Sequence, residues 1–416
     1  MEHAMKFQRH HRCLIHRFPM IRSLAALYAL FLLPLLCYGG PEKTSIAHTH
    51  ASGDAVGADV PSGFFPGAIH YFAGIGSGNG TYSDGSVPTQ VVLSPFSTVT
   101  DSKGNVYIAS GGQMYMVYAG GTVPAVLANV TTNAASPYAP TAGRIYQIAG
   151  FSAPQCGACE GLPFNQVVIV ELSGLAIDSH DNLYYSDAEN GTAEADVVRK
   201  VDAATSSVTT VAGTWGVEST QATLGDGGRA TSATLYQPAD IALDPWGNLY
   251  INDYFDDLVR VVYSGAEPPP VLAAENVTVG SNQKDYIYTV AVQYFASCTV
   301  TGSCGDGGPA TSALLDYQLA IGVDSEGDVY IADAVPDSNG IVDPYIRVVY
   351  AGGAIPPLLN LALNPGGGNS QIPESGNIYA VTGYSLSPSS HPAPLRDAET
   401  EDSREACNSV SATRYA

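Results

Sequence analysis

One unit of sequence recurs four times and limits the fold more than any other feature of the chain. It is an alternating apolar strand ending in Asp, a short turn holding Gly or Asp and then Asn or Asp, and a second alternating strand. The copies read TVTDSKGNVYIAS (98–110), LAIDSHDNLYYSD (175–187), IALDPWGNLYIND (241–253) and IGVDSEGDVYIAD (321–333). Period-two alternation on both sides of a tight turn makes a β-hairpin with one buried face. Each hairpin leads to a third strand: MYMVYAGG (114–121), VRKVDA (198–203), VRVVYSG (259–265) and IRVVYAGG (346–353). A fourth then reads RIYQIAG (144–150), SVTTVAG (207–213), YIYTVAV (286–292) and NIYAVTG (377–383). Four antiparallel strands per repeated unit predict an all-β chain, a β-propeller of four-stranded antiparallel blades with four full blades visible. A stray copy of the fourth strand, IHYFAG, stands at 69–74.

Composition agrees with short strands and many turns. The 416 residues include 44 Gly, 27 Pro and 25 Tyr, and only 13% are charged, where a typical soluble domain has about a quarter. The formal net charge of −22 repels phosphate backbones and anionic lipid, so nucleic acid and membrane surfaces are poor partners. Protein or glycan at the propeller's loop faces remains the expected partner class.

The N-terminus carries an export pattern. Arg17 and Arg22 precede an apolar run from Leu24 to Leu36 that is too short to span a bilayer, and Gly39 offers a small residue for cleavage. We expect residues 1–39 to act as a signal peptide, with Met20 an alternative start, and 40–65 to form a polar linker. The propeller occupies 66–383, and the mature product is expected to be secreted, periplasmic or at the cell surface. Leu36 is bulky where a lipid-anchor signal at Cys37 wants a small residue, which disfavours an anchor. No other segment is apolar enough to span a membrane. Beyond 383 the chain loses strand periodicity, and 384–416 is expected to be a disordered or aberrant tail; a reading frame lost near 384 is preferred over a native end.

The segments GDGGRATSATLYQPADIALDPWGNLYINDYFDDLVRVV (225–262) and GDGGPATSALLDYQLAIGVDSEGDVYIAD (305–333) resemble bacterial NHL repeats, and the resemblance extends over about 69–383. It implies a ring of about six blades, which this chain does not complete on its own count. It implies little about function, because related propellers include structural, protein-binding and RNA-binding modules as well as lyases and lactonase-like enzymes.

Four places in the chain could carry chemistry or binding. Asp187, Asp253 and Asp333 end the second strands, and Arg199, Arg260 and Arg347 sit in the third; the first blade has Ser110 and Tyr115 instead, losing both together. Joint loss predicts charge-assisted pairs bracing each blade, preferred over a ligand-binding ring of acids. The Gly-Asp-Gly-Gly loops at 225–228 and 305–308 place Asp226 and Asp306 as turn caps rather than calcium ligands, since one carboxylate per loop falls far short of a calcium cage. Cys156 with Cys159, and Cys298 with Cys304, occupy equivalent loops and are expected to form local disulfides, with zinc or redox chemistry as lesser alternatives. Cys407 is left over.

Past the signal only His48, His50, His70, His180 and His391 remain, too few for a His-ligated metal site, and no nucleophile motif appears. No catalytic residue, metal or cofactor is therefore expected. The main expectation is a non-catalytic binding and assembly scaffold. The alternatives are an exported lactonase-like or lyase-like enzyme and an ectodomain fragment of a longer sensor. A Pro-then-apolar insertion between third and fourth strands recurs at 121–130, 266–277 and 353–364 but is missing from the second blade. Pro124, Val126, Leu127, Pro269, Val271, Leu272, Pro357, Leu358 and Leu359 are expected to make an apolar binding rim on one face, against the alternative that each segment packs onto its own blade. Asn79, Asn129, Asn190 and Asn276 head N-x-Thr sequons.

Overall fold

The computed structural model describes residues 72–74, 82–132, 134, 137–150, 159–188, 195–217, 219–291, 304–315, 318–336, 342–365 and 371–382. The expected signal peptide, the linker, the tail, residues 69–71 of the stray strand at 69–74 and Cys156, Cys298 and Cys407 lie outside them.

The four expected hairpins close as the alternation requires, and each belongs to a four-stranded antiparallel sheet in strict sequence order. Blade 1 is β1 (Pro95–Thr100), β2 (Val106–Ser110), β3 (Gln113–Tyr118) and β4 (Arg144–Ala149). Blade 2 is β5 (Leu172–Ile177), β6 (Leu183–Asp187), β7 (Val197–Val201) and β8 (Val208–Ala212). Blade 3 holds β10 (Pro238–Leu243), β11 (Leu249–Asp253), β12 (Leu258–Val262) and β13 (Tyr286–Ala291), with the two-residue β9 (Gly228–Arg229) added beside β13. Blade 4 is β14 (Ala320–Val323), β15 (Val329–Pro336), β16 (Val342–Val349) and β17 (Ile378–Thr382). The first strands β1, β5, β10 and β14 pack against one another in succession, so the blades are arrayed about an axis as in a β-propeller. Among the described residues no helix is long and apolar enough to cross a membrane.

The apolar cores lie between blades. Tyr107, Met116 and Tyr146 of blade 1 share one cluster with Phe164, Leu183 and Val201 of blade 2, and Val261 and Tyr288 of blade 3 share another with Ala310, Leu315 and Val329 of blade 4. Each buried Val or Leu contributes about 1.5–3 kcal/mol, so a blade is stabilised chiefly by its neighbours.

Each hairpin turn is tied by side chains. Oδ1 of Asp101, Asp178 and Asp244 accepts backbone N–H bonds from within its own turn. The amides of Asn105, Asn182 and Asn248 donate to the same Asp at 2.8, 2.8 and 2.7 Å. Their Oδ1 atoms accept from Ala119, Ala203 and Ser264, which fastens the turn to the end of the third strand.

The third and fourth strands slip register at one equivalent point in every blade: Met114/Tyr115, Val198/Arg199, Val259/Arg260 and Ile346/Arg347. A bulge re-aims the residue at the slip, and in blades 2 to 4 that residue is the conspicuous Arg.

The insertions between third and fourth strands fold as short helices α1 (Ala125–Thr132), α2 (Pro270–Ala274) and α3 (Pro357–Leu363). Pro at the start of α2 and α3 suits a first helical turn, where its missing N–H costs nothing. Blade 2 has only the tight turn 202–207, held by Asp202.

Candidate functional site

Two of the three expected braces form. Arg260 is fully buried, with Nη1 3.5 Å from Asp253 and Nη2 2.8 Å from Asp226. It also donates to the carbonyls of Thr234 and Leu224. Arg347 repeats the arrangement, 3.6 Å from Asp333 and 2.8 Å from Asp306, with donations to Leu314 and Cys304. The Asp of each Gly-Asp-Gly-Gly loop is thus the nearer carboxylate of the brace, where the sequence suggested a turn cap. Glycine at 225, 227, 305 and 307 adopts positive φ, which lets the loop bring that carboxylate inward.

The third pair departs from expectation. Arg199 makes no hydrogen bond and no ion pair with Asp187; its guanidinium lies 5.2 Å from the centre of the Trp215 ring. Glu160 takes the place of the loop Asp but is one methylene longer, and it accepts from the Thr210 N–H at 2.9 Å. Asp187 is instead held by the N–H groups of Val170 and Glu171. In blade 1 Ser110 accepts from Ser94, and Tyr115 packs edge-on against Tyr82, whose hydroxyl bonds Asp84.

Burial raises several of these carboxyls. Asp187 is pushed up to about 7 by burial, partly opposed by its backbone donors and Arg199. Asp253 rises well above the carboxylate range through burial and the adjacent Asp256, and burial lifts Asp256 to about 6. Raised acids often mark active sites, yet Asp187, Asp253 and Asp256 have no exposed surface and do not line the groove between blades 2 and 3. Nor do the described residues hold a cluster of His, Cys, Asp and Glu fit for a metal ion.

The expected apolar rim is largely covered. Val126, Leu127, Pro269, Val271, Leu272 and Leu359 are buried, Pro124 is half-buried, and Pro357 and Leu358 are exposed. Each insertion curls its apolar pair down into a core, because a short helix shielded on one side gains more from burial than from display. Cys159 and Cys304 are disulfide-bonded.

What the insertions do is bridge. Asn165 Nδ2, in the loop entering blade 2, donates to the Asn129 carbonyl of α1 at 3.4 Å. Thr311 Oγ1, at the same place entering blade 4, donates to Glu275 just after α2 at 3.2 Å. A methyl on Gly327 would meet the Pro270 ring at 2.7 Å, and one on Gly376 would meet the Ala274 carbonyl at 3.0 Å. α1 and α2 therefore lie over the cleft between their own blade and the next.

Blade 2 has no such helix, and its cleft with blade 3 is open. A groove of about 790 Å³ lies there, lined by Thr231, Gly247, Lys284 and Asp285 of blade 3. Thr231, Gly247 and Asp285 stand at the positions of Thr311, Gly327 and Gly376 in blade 4, which meet α2 and the residue after it, and Lys284 stands at that of Ser375. The equivalence follows from geometry. Thr231 and Thr311 are the middle residues of matching 3-10 turns, and Asp285 and Gly376 donate alike to the carbonyls of Tyr263 and Tyr350. Tyr184, Lys200, His180 and Asp178 of blade 2, Trp246 and Asp244 of blade 3 and Asp324 of blade 4 also line it.

Among the described residues the groove holds three basic side chains, set among Asp178, Asp244, Asp285 and Asp324. The lysines and arginines among the described residues are Lys103, Arg144, Arg199, Lys200, Arg229, Arg260, Lys284 and Arg347. Three of them are buried in blades, Lys103 is paired with Asp181, Arg144 is half-buried in β4, and Lys200 (paired with Asp178), Arg229 and Lys284 line the groove. The sequence signal for this site was the missing insertion of blade 2. What sequence did not reveal is that each insertion leans onto the following blade.

No family model matches the chain, and no curated protein matches it. Among solved structures it is similar to streptogramin B lyase, with 10% identity and a TM-score of 0.28, the match covering 60% of this chain and 54% of that one. It is similar to a gluconolactonase of Xanthomonas campestris at 11% identity and TM-score 0.30, covering 62% and 70% of the two chains. A luciferin-regenerating enzyme matches at 12% identity and TM-score 0.30, covering 61% and 60%. The chain thus spans about half the length of streptogramin B lyase, and at such identities and scores these likenesses carry no activity to it.

Proposed function

We propose that this chain is an exported, NHL-like binding propeller that holds a protein or glycan ligand, without chemistry, in the open groove between blades 2 and 3. The observation that carries this reading is the missing bridge. Two clefts are sealed by a helix from the preceding blade, and the third has the same seat, uncovered and lined by side chains of both blades. A concave site of several hundred Å³ with a few polar groups suits a bound ligand. On this reading residues 1–39 direct export, and Cys156–Cys159 and Cys298–Cys304 are local disulfides of the exported protein.

The test is a helix graft. Residues 203–206 of blade 2 are replaced by 264–277 of blade 3, which rebuilds the bridge, and both proteins are titrated calorimetrically against a panel of oligosaccharides and peptides. Binding present in the parent and lost in the graft, with the melting temperature kept, supports the reading. A panel bound equally by both proteins refutes it. A second reading, a lactonase-like or lyase-like enzyme, draws on the raised carboxyls of Asp253 and Asp256. Metal-dependent turnover of a lactone, abolished by Asp256→Asn in a folded protein, would favour it.

A further inference from the structure

We infer that the chain pairs head to tail with a second copy of itself, α3 of one copy lying on blade 1 of the next. Both halves of such a contact are present on the chain, each without its counterpart. The cleft between blades 3 and 4 shows what the contact looks like when it is made. There the Pro270 ring of α2 lies over Gly327, the Ala274 carbonyl lies over Gly376, and Glu275 accepts from Thr311. Gly327 and Gly376 are buried beneath that helix.

Blade 1 carries the same seat. Thr89 is the middle residue of the 3-10 turn Pro88–Gln90, as Thr311 is of Ala310–Ser312. Gly104 donates to the Asp101 carbonyl within its hairpin turn, as Gly327 does to that of Asp324. Gly143 donates to the Tyr118 carbonyl, as Gly376 does to that of Tyr350. The three positions thus read Thr, Gly and Gly in blades 1 and 4, whereas the open seat of blade 3 ends in Asp285. Yet Gly104 and Gly143 are exposed, and a methyl on Gly143 would meet nothing within 4 Å. Among the described residues no helix lies on this seat.

Blade 4 carries the matching helix. Pro356 and Pro357 open α3 where Pro269 and Pro270 open α2, which puts Leu358 and Leu361 at the positions of Val271 and Ala274. Val271 is buried, with blade 4 beyond it, while Pro357, Leu358 and Leu361 are exposed. The sheet behaves alike: Tyr107 and Tyr250 are buried against the next blade, and their counterpart Tyr330 is only half-buried. Because α3 and the blade 1 seat are open together, α3 does not rest on blade 1 of its own chain. A second copy suits both faces better than an unrelated protein, since the contact repeats one the chain already makes between blades 3 and 4. It joins two different faces, so copies add in rows or close in a ring.

Sedimentation velocity between about 1 and about 100 μM tests this on the parent and two double variants. The helix variant is Leu358→Asn with Leu361→Asn. The seat variant is Ala142→Lys with Gly143→Asp, the residues blade 3 holds as Lys284 and Asp285 on a seat without a helix. We expect the parent to associate and each variant alone to associate at least about tenfold more weakly. An equimolar mixture of the two variants should form pairs and nothing larger, because one keeps its seat and the other its helix. Melting temperatures near the parent's show that the variants fold, and Leu358→Asn or Ala142→Lys alone serves where a double variant does not. A mixture no better associated than its parts, or a seat variant that associates like the parent, overturns the head-to-tail contact. A parent that stays monomeric overturns it too, and a lower melting temperature in either variant would then show that another segment of the same chain covers these faces.

Discussion

Asp328 stands in blade 4 where Asn105, Asn182 and Asn248 stand in the others. The three amides donate to the Asp of their turn, but a carboxylate cannot, and Asp328 Oδ2 is left buried without a donor beside Asp324. Burial, with the charge of Asp324 adding to it, pushes the Asp328 carboxyl up to about 7. Its folded value thus lies above the unfolded value of about 4, so the folded state binds the extra proton. The stability this proton confers is complete below about pH 4 and lost as pH rises through about 7. Asp328→Asn restores the donor and removes the charge, and should stabilise the fold by about 1–3 kcal/mol at pH 8 and by little at pH 4. Thermal unfolding at the two pH values checks it. Equal shifts at both, or a lower melting temperature at pH 8, would show that the carboxylate is satisfied by other means.

At the level of elements, the braces decide which arginines matter. Arg260 ties β12 to the end of β11 and to the loop entering blade 3, and removing it strands Asp253 in the interior. Breaking a buried pair in this way costs about 3–5 kcal/mol, so Arg260→Met should lower the melting temperature sharply while leaving groove binding intact. Arg199→Met removes no hydrogen bond and should cost under about 1 kcal/mol. Similar losses for both would mean that Arg199 is braced after all. How far the elements were legible follows from the same residues. The hairpins and strand order came from alternation, and the Asp253–Arg260 and Asp333–Arg347 pairs from their joint absence in blade 1. Asp226 and Asp306 were not legible as partners, because the pairing depends on a bulge at the Arg that no local pattern encodes. Glu160, standing in blade 2 where the other loops carry Asp, was not read from the sequence at all, and it accepts from Thr210 instead of facing the arginine. The groove was half legible: the missing insertion stands in the sequence, while its meaning depends on which blade the other insertions cover.

For the whole molecule, cores placed between blades mean that a blade face without a neighbour stays open. Val126 of α1 and Val271 of α2 are 5% and 0% exposed because the following blade lies against them, while Leu358, at the same step of α3, is 42% exposed. Leu361, one turn on, is 44% exposed. At the other end of the array Thr98 of β1 is exposed, where Leu175 and Ile241, its counterparts in β5 and β10, are buried. Both outer faces of the array therefore present surface that elsewhere in the molecule is interior, and adjoining apolar side chains on such a face favour association. Leu358→Asn combined with Leu361→Asn should reduce concentration-dependent self-association in sedimentation velocity. It should change stability by no more than about 0.5 kcal/mol, as for other surface positions. A loss of several degrees in melting temperature would instead mean that the two leucines are packed against something in the folded protein. The face of blade 4 would then be an occupied interface, and the same pair of substitutions, read by crosslinking, would identify what covers it.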